Sequence, residues 1–185
     1  MKNTVKLLSL CMLFIVASSF QNNDNIIVWS KTRKLTWNDF QGNISHDKTH
    51  ERINVYKENE VDAARSRVAI ALYFQCQGSK ANHTIRAEFE KNNSWYYAKH
   101  KTEAVLSHEQ LHFDITELYA RKLRTKLSAL SNSCDKEAVR KVYQDNEEAF
   151  GKFSDQYDIE TSHGVNKQKQ SEWEIRVQNL LSASN

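Results

Sequence analysis

The stretch Leu106-Ser107-His108-Glu109-Gln110-Leu111-His112-Phe113-Asp114 constrains this chain more than any other. Val105, Leu111, Ile115, Tyr119, Leu123 and Leu127 recur around it at helical spacing, and both histidines fall within that apolar stripe. The pattern predicts a helix from about Thr102 to Leu130, stopped by Ser131-Asn132-Ser133. On such a helix His108 and His112 stand about 40° apart around the axis and ~6 Å along it. Two imidazoles on a core-facing stripe are costly without a partner. One tetrahedral ion at roughly 2.0–2.1 Å from each would be that partner. Glu109 lies about 100° around from His108. It is near such an ion without being forced to ligate it, the position of a general base for an activated water.

Catalytic zinc sites take three protein ligands and keep one position for water. The metzincin extension needs Gly three residues after the second histidine and His three beyond that; Ile115 and Leu118 occupy those positions, which excludes the class. Glu117 points about 180° away from His108 and cannot share its ion. A denser candidate is Tyr157-Asp158-Ile159-Glu160-Thr161-Ser162-His163-Gly164, where a phenol, two carboxylates, a histidine and a glycine break follow a helical pattern. His163 is the expected third ligand. Asp158 or Glu160 comes next, and Glu147 or Glu148 behind them. Tyr157 is a candidate donor to a developing oxyanion, and Asp114 is read as structural.

Lys2 and Lys6, an apolar run from Leu7 to Val16 and the small residues Ala17-Ser18-Ser19 read as an export signal, too short to span a membrane. Cys11 lies inside that run, which continues past it, unlike a lipoprotein anchor. The expected mature unit is a single domain over residues 20–185, secreted or periplasmic, with no stable membrane insertion once the signal is removed. Removing Lys2 and Lys6 leaves 24 basic against 23 acidic residues, with no basic block, so nothing points to nucleic acid. Two cysteines then remain, Cys76 and Cys134. In an exported chain they are a candidate disulfide, and two separate thiols are the other reading. His46 and His50 lie in a polar stretch and are expected to face solvent. Oligomeric state is left open.

With no proline and only four glycines, breaks fall on Asn, Asp and Ser. Ile26–Trp29 reads as a strand. Trp37 and Phe40 in Leu35–Gly42 read as core anchors. Arg67–Cys76 places Val68, Ile70, Leu72, Phe74 and Cys76 at period two, and Thr84–Phe89 turns Ile85, Ala87 and Phe89 inward. With a turn over Gln77–Asn82 the two form a hairpin with one wet face, whose exposed edge would align an extended peptide. After the histidine helix, Asp135 caps a second helix carrying Val139, Val142, Tyr143, Phe150 and Phe153. A break at Thr161–Gly164 precedes a third, with Trp173, Val177, Leu180 and Leu181.

The run from His108-Glu109-Gln110-Leu111-His112 through Leu123-Arg124 resembles the signature of a bacterial family catalogued as domain of unknown function nine-hundred-and-twenty-two, whose members are described as secreted zinc-dependent proteases. Leu35-Thr36-Trp37-Asn38-Asp39-Phe40, Ser94-Trp95, and Tyr157-Asp158-x-Glu160-Thr161-x-His163-Gly164 followed by Gln170 and Trp173 match it too. The resemblance implies Zn2+, a zincin-like fold and peptidase activity. Together with the element pattern it gives an α+β expectation: a mostly antiparallel N-terminal sheet, then the histidine helix and two further helices. The expected activity is metal-assisted hydrolysis of a peptide or protein substrate, with His108, His112 and His163 as ligands and Glu109 as base. The competing expectation is a non-catalytic envelope protein holding a closed, four-ligand zinc. Glu109 argues against it, because a structural site has no use for that carboxylate.

Overall fold

The computed structural model describes residues 24–43, 63–78 and 80–184. The export signal with Cys11, and the loop histidines His46 and His50, lie outside the described residues. The architecture is α+β: an antiparallel N-terminal sheet followed by three helices. Strands β1 (Ile26–Val28), β2 (Ala64–Arg65), β3 (Val68–Gln77), β4 (Lys80–Glu90) and β5 (Trp95–Tyr96) precede helices α1 (Glu103–Ser128), α2 (Lys136–Thr161) and α3 (Lys167–Ala183). They form a three-stranded sheet ordered β1-β4-β3 and a small two-stranded one pairing β2 with β5. α1 packs against β3 and β4 on one side and against α2 and α3 on the other, so the helix with the histidines is the centre of the molecule.

The hairpin follows from its alternation. Ile70 pairs with Ala87 and Leu72 with Ile85, and the inward set Ile70, Ile85, Ala87 and Phe89 is buried. The turn is tighter than the sequence suggests. Gln77 pairs with Lys80, and Gly78 takes φ 63°, a left-handed conformation that a Cβ would oppose. Phe89, Phe113, Ile115 and Leu123 are fully enclosed between sheet and helices. Each contributes roughly 1.5–3 kcal/mol of burial.

The helices begin where side chains can satisfy their first N–H groups. The Thr102 side chain accepts from Val105 N, Asp135 from Glu137 N and Ala138 N, and Asn166 from Lys169 N. α2 ends as Ser162 turns left-handed at φ 49°, followed by His163 at 53° and Gly164 at 82°. Cys76 and Cys134 form a disulfide, with Cα atoms 5.8 Å apart, tying the end of β3 to the loop between α1 and α2. Asp114 straps the N-terminal segment to α1. Its Oδ1 accepts from Trp29 Nε1 at 2.7 Å and Gln110 Nε2 at 2.8 Å, while Gln110 Oε1 accepts from Leu35 N at 2.7 Å. The helix arginines Arg121 and Arg124 pair instead with buried Glu117. Among the described residues no helix is long and apolar enough to cross a membrane.

Candidate metal centre

Because α1 is packed on both sides, the stripe carrying His108 and His112 is directed at α2. His108 is buried, and His112 shows 17 % of its side chain to solvent. Their Nε2 atoms approach to 3.3 Å with the ring planes near perpendicular. Asp158, in the last turn of α2, completes a triangle: its Oδ1 is 3.2 Å from His108 Nε2 and 3.0 Å from His112 Nε2. Among the described residues these three alone form a cluster with metal-ligand geometry.

The chemistry of the donors tests whether a cation fits. Glu174 can only accept, and its Oε1 takes hydrogen bonds from Gln170 Nε2 at 3.0 Å and Ser107 Oγ at 2.7 Å. That orients the Gln170 amide, so its Oε1 accepts from Tyr157 Oη at 2.8 Å and faces His108 Nδ1 at 3.2 Å. His108 therefore carries its proton on Nδ1 and presents a lone pair at Nε2. That lone pair meets a carboxylate oxygen with no well-aligned hydrogen bond. Lone pairs 3.0–3.3 Å apart repel unless a cation or a proton on one of the rings lies between them. Ligands at roughly 2.0–2.1 Å from a tetrahedral zinc are separated by about 3.3 Å, so the triangle fits. The field has the same sense. Burial alone would raise the Asp158 carboxyl, yet the His108 and His112 imidazoles hold it well below the usual carboxylate range. Burial lowers His112, but Asp158, with Glu109 behind it, more than offsets this and lifts it above its ordinary value.

Glu109 is buried beside the triangle, and Ser66 holds one of its oxygens. Oε2 accepts from Ser66 N at 2.8 Å and Ser66 Oγ at 2.5 Å. A cleft of ≈ 310 Å³ opens over His108, Glu109, His112 and Asp158. It is lined by β2 with Ser66 and Val68, by Val105 of α1, by Phe150 and Ser154 of α2, and by His163. The strand along the cleft is thus β2. The exposed edge of the hairpin borders a different groove, and only Val68 of the hairpin reaches the cleft.

Two sequence expectations are corrected by this arrangement. His163 is not one of the three converging side chains. The left-handed turn at Ser162 and His163 carries it beyond the helix, where it is 53 % exposed with Nδ1 3.9 Å from Asp158 Oδ1. Asp158, still inside α2, keeps its side chain aimed at α1 and takes that place. Tyr157 is not placed to meet an oxyanion in the cleft. It is fully buried, stacked on the His108 ring at 4.7 Å, and its hydroxyl donates to Gln170 Oε1 and to His108 O. Burial pushes its phenol far above the ordinary value, so it serves as a neutral donor. The remaining carboxylate alternatives point elsewhere. Glu160 accepts from Trp173 Nε1 and Gln156 Nε2. Glu148 pairs with Lys152 on the surface. Glu147 lies outside the cluster, its carboxyl raised by burial.

Sequence reasoning missed Ser66, Gln170 and Glu174. Gln170 and Trp173 stood among the residues matching the family pattern, a signal of importance without a role. Ser66 had no local signal, because its partner lies 43 residues along the chain.

The family whose description reads "Bacterial protein of unknown function (DUF922)" matches residues 56–164, more than half of the chain. The match takes in both histidines, Glu109, Tyr157, Asp158 and the turn to Gly164, and stops before Gln170. No curated protein and no solved structure matches.

Proposed function

The chain belongs to this family of bacterial proteins of unknown function, and from that premise we propose that it is an exported, zinc-dependent hydrolase of zincin type, acting on peptide bonds. The observation that carries the reading is the convergence of His108 Nε2, His112 Nε2 and Asp158 Oδ1 within 3.0–3.3 Å, with Glu109 beside them in an open cleft. His108, His112 and Asp158 would hold Zn2+. When bound, the ion supplies Lewis acidity, lowering the pKa of water toward ~7 and polarising a carbonyl. The rest of the work falls to the chain's own groups. Ser66 fixes one oxygen of Glu109, leaving the other free to take a proton from the attacking water and deliver it to the leaving amine. Gln170 fixes the His108 tautomer so that Nε2 remains a ligand. Tyr157 stacks on His108 and fixes its ring plane.

Three protein donors beside a cleft leave a position for water, which favours hydrolysis over a closed structural site. Elemental analysis of the purified protein and its single-site variants tests the reading. About one zinc per chain is expected, lost in Asp158→Ala and kept in His163→Ala. A peptide library should then be cut by the wild type and not by Glu109→Gln, which retains the metal. A wild type that takes up no zinc after refilling would refute the proposal.

A further inference from the structure

The two edges of the main sheet are protected differently. β1 is only three residues long, and short edges resist pairing with other chains. β3 is ten residues long, Val68-Ala69-Ile70-Ala71-Leu72-Tyr73-Phe74-Gln75-Cys76-Gln77, with no charge, proline or glycine. The charges of the hairpin, such as Arg86, Glu88 and Glu90, are on the inner strand β4. Natural edge strands of this length carry a charge, a proline or a bulge unless something covers them.

The ladder shows which groups are on offer. Arg67 O accepts from Glu90 N at 2.9 Å, so in the alternating antiparallel pattern Ala69, Ala71, Tyr73 and Gln75 turn their backbone groups to β4. Val68, Ile70, Leu72, Phe74 and Cys76 turn theirs outward. Tyr143 Oη donates to Ile70 O at 3.0 Å and closes that position. Beyond it, the outward N–H and C=O groups of Leu72, Phe74 and Cys76 meet no hydrogen-bond partner among the described residues. A groove of ≈ 680 Å³ runs along this edge, lined from α2 by Lys136, Val139, Arg140 and Tyr143. Tyr73 beside it is 51 % exposed.

We infer that β3 is the seam of a homodimer, pairing antiparallel with β3 of a second copy about a two-fold axis through Phe74. A second copy is the occupant this edge suits. An uncharged strand meets itself without the like-charge repulsion that a charged edge would generate. The three open positions are centred on Phe74. Self-pairing there sets Phe74 against Phe74 and Leu72 against Cys76 as hydrogen-bonded pairs, and a two-fold contact of this kind closes at two copies. Tyr73 of one copy then lies opposite Gln75 of the other in a non-hydrogen-bonded pair, where side chains come closest. This inference is independent of the metal centre.

Sedimentation equilibrium on the purified protein, disulfide intact, tests it, with folding of each variant checked by circular dichroism. The wild type should be a dimer. Tyr73→Lys with Gln75→Lys places lysines opposite one another across the seam and should give a monomer. Tyr73→Lys with Gln75→Glu places opposite charges there and should restore the dimer. Hydrogen exchange on the unmodified protein gives a second reading. The Leu72, Phe74 and Cys76 amides should exchange on the order of tenfold more slowly in concentrated than in dilute solution. A monomeric wild type, a double-lysine variant that still dimerises, a charge-swapped variant that stays monomeric, or exchange at these amides that ignores concentration would each overturn the inference.

Discussion

Replacing Gly164 by alanine tests whether the turn after α2 presses directly on the candidate metal centre. Gly164 has φ +82°, and a Cβ built there would lie 3.0 Å from both Cβ and Cγ of His108 and 3.2 Å from its Nδ1. A non-glycine residue in left-handed conformation costs ~1–2 kcal/mol, and forcing a methyl into a packed interior typically costs ~1–3 kcal/mol. Together they predict a loss of about 2–5 kcal/mol. His108 can yield little, because Tyr157 stacks on one face and Gln170 holds Nδ1. The assay is urea unfolding in the presence of a chelator, so that bound metal adds nothing to stability. With a slope of about 2 kcal/mol/M the midpoint should fall by about 1–2.5 M. Gly151→Ala is the internal control. Gly151 is inside α2 with nothing within 4 Å of the new Cβ, so alanine there should stabilise by about 0.5–1 kcal/mol. If Gly164→Ala leaves the midpoint unchanged, or both variants move in the same direction, the close approach to His108 is wrong.

The other predictions probe separate parts of the argument. Gln170→Leu removes the acceptor that fixes the His108 tautomer and should weaken zinc affinity about 10–100-fold; competition with a chromophoric chelator measures it, and unchanged affinity would remove Gln170 from the site. Reducing Cys76–Cys134, which are 58 residues apart, should cost about 4 kcal/mol in the chain-entropy model; denaturant midpoints with and without reductant give the value. Burial opposes ionisation of Asp39, but Arg33 and the Thr36 N–H and hydroxyl outweigh it and hold the carboxyl below its ordinary value. Its contribution is therefore present above the unfolded carboxylate pKa of about 3.9 and is lost as pH falls through the lower folded value. Urea midpoints of wild type and Asp39→Asn should differ at pH 6 and converge in acid; a constant difference would assign the effect to shape instead of charge.

Much of the fold is local and could be read directly. The period-two alternation of Val68 to Phe74 and of Ile85 to Phe89 specifies both strands and their buried face. The helical stripe from Val105 to Leu127 specifies α1 and places His108 and His112 on its inner face, because residues four apart on a helix share a face. Thr102 and Asp135 mark helix starts through the short-range reach of their own oxygens. Boundaries slipped where pairing decided them. β3 and β4 run on to a two-residue turn because the ladder continues as far as Gln77 and Lys80, and β2 and β5 are too short to have a period of their own.

The sequence by itself determined that His108 and His112 share one buried helix face with Glu109 about 100° around from His108, since 3.6 residues per turn fixes those directions. It also marked residues 157–164 as the stretch that meets them. Which member of that stretch arrives was decided by tertiary structure. Asp158 precedes the helix end and keeps a helical direction toward α1, whereas His163 follows a left-handed reversal and is turned outward. The groups that tune the site, Ser66 on Glu109 and Gln170 on His108, lie 43 and 62 residues from their partners. So does the outcome for Cys76 and Cys134, joined across 58 residues. Contacts over such distances have no local period to announce them. They exist only once the sheet and α3 have packed around α1, which is why the helix was legible and its partners were not.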